Sequence, residues 1–249
     1  MSKPTIASKD AWLKARLDLL AKEKAASKAR DELTQARQSL PWVRIEKPYR
    51  FIGAEGETDL AGLFGRHSQL IVYHFMFDPG WQEGCKSCSL IADHYAPSLV
   101  HLAARDVAFA TVSAAPWPKL EAFRRRMDWR FRWYSAGDSD FNRDFHVTYT
   151  EAEIAAKEGF YNFKPGNPFP VSEAPGVSVF AKDAAGAVFH TYSAYARALE
   201  GMIGAYNLLD LVPKGRDERK LTYGMEWVRH KDRYGDADFV DPYTDLAKD

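Results

Sequence analysis

The chain predicts an α/β sandwich with a long N-terminal helical arm and an insertion before a closing β-hairpin. Three observations predict it. The stretch 9–40 is rich in Ala, Leu, Lys, Arg and Glu and holds no Gly or Pro, which reads as helix. Strand-like and helix-like signals alternate from 41 to about 210, the pattern of a parallel sheet with right-handed crossovers. "QLIVYHFMF", 69–77, is an apolar, β-rich run suited to a strand covered on both faces.

In the arm, residues 1–40, apolar positions Leu13, Leu17, Leu20, Ala26, Ala29, Leu33, Ala36 and Leu40 step by threes and fours, with Lys24 interrupting the stripe. The stripe serves either packing on the chain's own domain or pairing with a second copy in a homodimer. The domain proper is read over 41–212. "WVRIE" and "YRFIG" are short strands around Lys47-Pro48. "TDLAGLFG" is a short helix capped by Thr58 or Asp59 and stopped by Gly65. After the central strand, "SLIADHYAPSLVHLAAR" is a helix bent at Pro97, "DVAFATVSA" a buried strand, "PWPKLEAFRRRM" a helix opened by prolines, and "RFRWYS" a further strand. Residues 136–175 are polar and rich in Gly and Pro, with one short helix near Glu151–Lys157, and read as an insertion or lid. "VSVFAKDAAGAVFHTYS" is the closing hairpin, an antiparallel edge, and "ALEGMIGAYNLLDLV" a final helix. The tail, 213–249, is charged but carries Tyr223, Met225, Trp227, Tyr234 and Phe239, so it is expected to wrap a surface of the domain or of a partner.

Composition narrows the function classes. The 249 residues hold 34 basic and 34 acidic side chains; this balance lacks the positive field that nucleic acid or anionic lipid would attract, so neither nucleic acid nor membrane is an expected partner. The N-terminus has no signal-peptide core and no apolar run reaches a membrane span, which predicts a cytoplasmic protein. A chain of this size buries its own core without staples, and cytoplasmic thiols are kept reduced. The two cysteines, Cys85 and Cys88 in "WQEGCKSCSL", therefore read as redox-active or metal-binding.

Their position favours redox chemistry. Cys85 falls where the central strand ends and a helix begins, and the free N–H groups and dipole of a helix start favour its thiolate, with Lys86 adding charge. Cys88 lies one turn further in, where it can resolve a mixed disulfide formed by Cys85. Zinc is the rival: His94 and His101 follow, but there is no second C-x-x-C and the His spacing misses the usual gap. Two inert cysteines in a binding or scaffold protein are the remaining reading. His74, near the end of the central strand, is a candidate for proton handling at the thiol, although a locally bonded strand histidine is the commoner case. "DSDFNRD" has the alternating acids of a calcium loop but places Arg143 and Tyr149 where Gly and an acid are needed.

Long blocks of the sequence, "LPWV", "LFGRHSQLIVYHFMF", "GCKSCS", "SDFNRDFHV", "PGVSVF", "FHTYSAYAR" and "GMEWVRHKDRYG", resemble a bacterial thioredoxin-like family known as domain of unknown function 899, a predicted dithiol-disulfide oxidoreductase family. The resemblance implies a thioredoxin-like three-layer sandwich and a thiol-disulfide oxidoreductase acting on a disulfide-containing protein or a small thiol, with no organic cofactor. It also implies substrate contacts at Trp81 and Gly84 beside the pair, and at Pro175 in "EAPGVSVF", which stands where thioredoxin-like folds carry a cis-proline. The Trp-Cys-Gly-Pro-Cys of thioredoxins is matched only in part, since Lys86-Ser87 replace Gly-Pro and Gly84 precedes the first cysteine. A peroxiredoxin-like peroxidase is the further alternative on this fold; its motif wants a Pro and a Thr or Ser where Asp78 and Gln82 stand.

Overall fold

The computed structural model describes residues 5–166 and 168–234. They fall into two compact units, Met1–Trp42 and Val43–Asp249. The first is a single helix, α1 (Lys9–Gln38), opened by Ser8, whose hydroxyl accepts from the Ala11 N–H at 3.2 Å. None of its residues is buried, and Trp12, Leu13 and Leu17 are each at least half exposed.

The second unit is built on one sheet. Its elements run β1 (Val43–Arg44), β2 (Arg50–Gly53), β3 (Gly56–Asp59), α2 (Leu60–Leu63), β4 (Gln69–His74), α3 (Lys86–Tyr95), α4 (Leu99–Ala103), β5 (Val107–Ser113), α5 (Trp117–Arg126), β6 (Trp133–Ser135), α6 (Phe141–Asp144), α7 (Glu151–Ala156), β7 (Phe160–Tyr161), β8 (Lys164–Pro165), β9 (Gly176–Lys182), β10 (Val188–Tyr195) and α8 (Gly204–Leu209). The sheet order is β1-β10-β9-β4-β5-β6-β2-β3, and β7 and β8 form a separate pair. β4, β5 and β6 are parallel, with Gln69 opposite Val107 and Thr111 opposite Trp133, whereas β9 runs antiparallel to β4, with His74 opposite Gly176. A central strand feeding the cysteine helix, flanked by one parallel neighbour and one antiparallel hairpin, is the thioredoxin-like arrangement.

Side-chain alternation along β4 divides the core into two layers. Leu70 and Val72 pack with Phe51, Phe64, Phe141 and Phe180 on one face. Tyr73 and Phe75 pack with Ile91, Tyr95, Phe123, Trp129 and Trp133 on the other, which carries α3 and α5. There Phe75 meets Trp133 with ring centroids 4.7 Å apart and Phe77 meets Phe123 at 5.4 Å. Truncating such a buried ring costs about 3–5 kcal/mol, so this aromatic layer is a firm floor for the cysteine helix.

Several elements differ from expectation. β3 was not anticipated, and with β2 it extends the sheet beyond β6. The closing hairpin is not an edge, because β1 pairs with β10. The helix bent at Pro97 is α3 and α4 joined by a short 3-10 turn. The final helix is broken into a 3-10 stretch, Ala196–Met202, and α8, with Ile203 extended between them. The break lets α8 approach His94: a Cβ on Gly204 would lie 2.9 Å from the ring, and the Ala205 N–H donates to His94 Nε2 at 3.0 Å. Among the described residues, no helix is long and apolar enough to cross a membrane.

Candidate functional site

The site is assembled by the segment that leaves β4. Phe75 and Phe77 continue beside β5, with the Phe75 N–H donating to the Val112 carbonyl at 2.9 Å and the Ala115 N–H to the Phe77 carbonyl at 2.8 Å. A turn follows in which the Asp78 carboxylate accepts from the Gly80 N–H at 2.7 Å, and Lys119 Nζ donates to the carbonyls of Pro79 and Trp81. The chain then folds back, and the Cys85 N–H donates to the Met76 carbonyl at 3.1 Å. Gly84 is required by this return: a Cβ there would lie 2.7 Å from the Phe75 ring and 3.0 Å from that of Phe123.

Cys85 is the N-cap of α3, with φ −55° and ψ 129°. It is partly exposed, Cys88 is 1% exposed, and both are free thiols. Donation from the Cys88 thiol brings Cys85 down to about 7, helped by the backbone N–H groups of Cys88 and Ser87 and the Ser87 hydroxyl, against the effect of burial. Burial pushes Cys88 well up, and its interaction with Cys85 adds to the rise. The two sulfurs are thereby unequal: one reachable and ready to ionise, the other buried and protonated.

The other predicted residues fall in different places. The Lys86 ammonium is engaged by the tail: its Nζ donates to the Glu226 carbonyl at 2.7 Å and stands over the Tyr223 ring. Trp81 is partly buried against the aromatic layer below α3. His74 points to the opposite face of the sheet, stacked on Phe141 and Phe145, with Nε2 2.9 Å from the Ser178 hydroxyl. Burial lowers it to about 3. The proton-handling expectation for His74 is therefore corrected: alternation turns it away from α3, and Tyr73 faces the cysteine layer instead. Pro175 directly precedes β9, at the end of the sheet where the cysteine loop leaves β4, but the Ala174–Pro175 peptide is trans, correcting the cis expectation. Trans is the intrinsically favoured isomer by about 0.5–1 kcal/mol, and it leaves the Pro175 carbonyl accepting from the Tyr161 hydroxyl at 3.0 Å and the Ala174 N–H donating to the Val147 carbonyl at 2.8 Å. Asp93 accepts from Trp129 Nε1 at 2.7 Å, and His94 Nδ1 lies 2.6 Å from the Leu90 carbonyl. Among the described residues, no group of three or more His, Cys, Asp or Glu side chains is gathered as metal ligands would be.

Sequence reasoning missed how closely the tail binds the cysteine loop. His230 Nε2 lies 2.9 Å from the Gly84 carbonyl, and since a carbonyl only accepts, Nε2 carries the proton. Glu83 accepts from Arg126 and Arg233, and Arg126 also grips Asp232. Both neighbours of Cys85 are thus held by the segment 226–230. The one signal available was the mixture of aromatics and charges in "GMEWVRHKDRYG". Glu173, also missed, is 1% exposed and accepts from the Thr148 hydroxyl at 2.7 Å. The expected role of Phe239, beyond 234, lies outside the described residues.

A family model described as "Bacterial protein of unknown function (DUF899)" matches residues 1–234. No curated protein matches the sequence. Among solved structures, peroxiredoxin Q from Xanthomonas campestris is similar at 15% identity, over 67% of this chain and 94% of that one, with a TM-score of 0.43. Peroxidoxin BcpB from Mycobacterium tuberculosis is similar at 12% identity, over 66% and 96%, with a TM-score of 0.43. The mitochondrial 2-Cys peroxiredoxin from Plasmodium falciparum is similar at 10% identity, over 64% and 89%, with a TM-score of 0.39. At these values the likeness concerns the path of the chain and not its chemistry.

Proposed function

Because the chain belongs to the bacterial family DUF899, whose function is unknown, we propose its chemistry from the geometry of its own site: a thiol-disulfide oxidoreductase in which Cys85 attacks and Cys88 resolves. The observation that carries this reading is the inequality of the two thiols across the first turn of α3. Cys85 is partly exposed and brought down to about 7, so a substantial fraction is thiolate at neutral pH, while Cys88 is held back as a buried thiol. A nucleophile near ambient pH combines thiolate population with retained nucleophilicity.

In this reading the Cys85 thiolate attacks one sulfur of a substrate disulfide and expels the other as a thiolate. Cys88 then attacks Cys85, closing the Cys85–Cys88 disulfide and releasing the second substrate thiol. A dithiol reductant restores the pair. Trp81, Gly84 and Pro175 border the approach to Cys85, and the substrate is a protein or small-molecule disulfide met in a reducing compartment, the cytoplasm. The exposed apolar face of α1 pairs two copies of the chain; light scattering should find a dimer that Leu13→Lys with Leu17→Lys converts to monomer.

The direct test of the redox reading is reduction of a model disulfide driven by dithiothreitol. Cys85→Ser should abolish it, and Cys88→Ser should accumulate a Cys85 mixed disulfide detectable by mass. A Cys85→Ser variant as active as the parent would leave only a binding or scaffold role.

A further inference from the structure

A fully buried polar atom without a partner is uncommon in a folded protein and needs a physical reason. The hydroxyl of Tyr73 is such an atom: among the described residues it has no hydrogen-bond partner. Tyr73 is 0% exposed, on the face of β4 that carries α3, and its ring is edge-on to those of Phe75 and Tyr95, with centroids 6.2 and 5.5 Å away. Tyr95 offers no relief, because its own hydroxyl is paired with Thr111 at 2.7 Å. Tyr73 and Cys88, which is 1% exposed, are packed in the same buried cluster. Burial first, then charge on Cys88, keep the phenol protonated; burial and then Cys85 push the Cys88 thiol up, while the Tyr73 hydroxyl and the Met76 N–H act the other way. No cation is among the groups that act most strongly on Cys88.

We propose that the Tyr73 hydroxyl is a donor that stabilises negative charge developing on the Cys88 sulfur as Cys88 resolves a mixed disulfide. This rests on the thiol-disulfide reading above and assigns that reaction a further catalytic residue. A neutral thiol is a weak acceptor, so the O–H stays incompletely bonded while Cys88 is protonated. In the resolving step the Cys88 proton leaves to solvent, the Cys88 sulfur forms its bond to Cys85, and the bond between Cys85 and the substrate sulfur breaks. The electron pair departs on the substrate thiolate. The O–H···S interaction strengthens only as charge gathers on Cys88, and an interaction stronger in the transition state than in the ground state lowers the barrier. The unpartnered hydroxyl thus has a function that the resting thiol cannot reveal.

Tyr73→Phe removes only the oxygen and keeps the ring. Reduced protein mixed with one equivalent of Ellman's reagent releases thionitrobenzoate twice: first when Cys85 attacks, then when Cys88 resolves the adduct. Tyr73→Phe should leave the first phase unchanged and slow the second by about tenfold or more, the effect expected for losing a hydrogen bond to a charged acceptor. An unchanged second phase, or equal slowing of both, would overturn the proposal while leaving the oxidoreductase reading intact. A parent protein that shows only the first phase would overturn both. A second probe retains the whole side chain: 3-fluorotyrosine at position 73 is a stronger donor and should accelerate the second phase, whereas an unchanged or slower phase counts against the assignment.

Discussion

His230 donates from Nε2 to the carbonyl of Gly84 at 2.9 Å, across 146 residues of chain, and so fixes the residue that precedes the attacking cysteine. Glu226 completes the hold from the other side, its carbonyl accepting from Lys86 Nζ. The tail is part of the site's wall and not an appendage.

His230→Ala should loosen the loop that presents Cys85. The lost bond and its packing against the Phe123 ring, centroids 5.3 Å apart, are expected to lower stability by about 1–3 kcal/mol. Thermal unfolding reads that loss. Faster proteolysis near residues 226–234 with an unchanged sheet core, followed by hydrogen exchange, would locate it.

The ionisation of Cys85 can be followed by its rate of alkylation with iodoacetamide. The rate should rise with pH around a midpoint near 7. Donation from the Cys88 thiol is the largest cause of the depression, so Cys88→Ala should move the midpoint up. A midpoint that stays put would assign the effect to the helix start alone.

Glu173 makes stability depend on pH. Burial pushes its carboxyl up to about 8 from 4.5, with Asp78 adding to the rise and the Thr148 hydroxyl opposing it. A group whose value is raised on folding contributes stability that is fully present below the unfolded value and is lost as pH rises through the folded one. The loss should therefore accumulate between pH 4.5 and about 8, on the order of a few kcal/mol. Glu173→Gln should flatten that part of the curve in denaturant titrations at several pH values.

How much of this was legible in the sequence follows the range of the interactions involved. The helix start at Cys85 is a local event, written in an apolar strand, a short turn and a C-x-x-C, and it was readable. Which β4 side chain meets the cysteines was not, because period-2 alternation separates His74 from Tyr73 without saying which face α3 covers. His230 could not be placed, since nothing near position 230 refers to Gly84. The broken final helix shows the same limit: its own residues favour helix, and the contact of its second piece with the distant His94 is not written in them. The partners on either side of the Ala174–Pro175 bond, Val147 for Ala174 and Tyr161 for Pro175, were likewise not written in the local sequence.

Whether Cys85 and Cys88 form a working dithiol is tested by equilibrating the protein in glutathione buffers of graded potential, trapping free thiols and weighing the products. One two-electron transition between the Cys85–Cys88 dithiol and disulfide is expected, at a potential in the range of about −120 to −300 mV typical of catalytic pairs. Two thiols that remain free at every potential would contradict it.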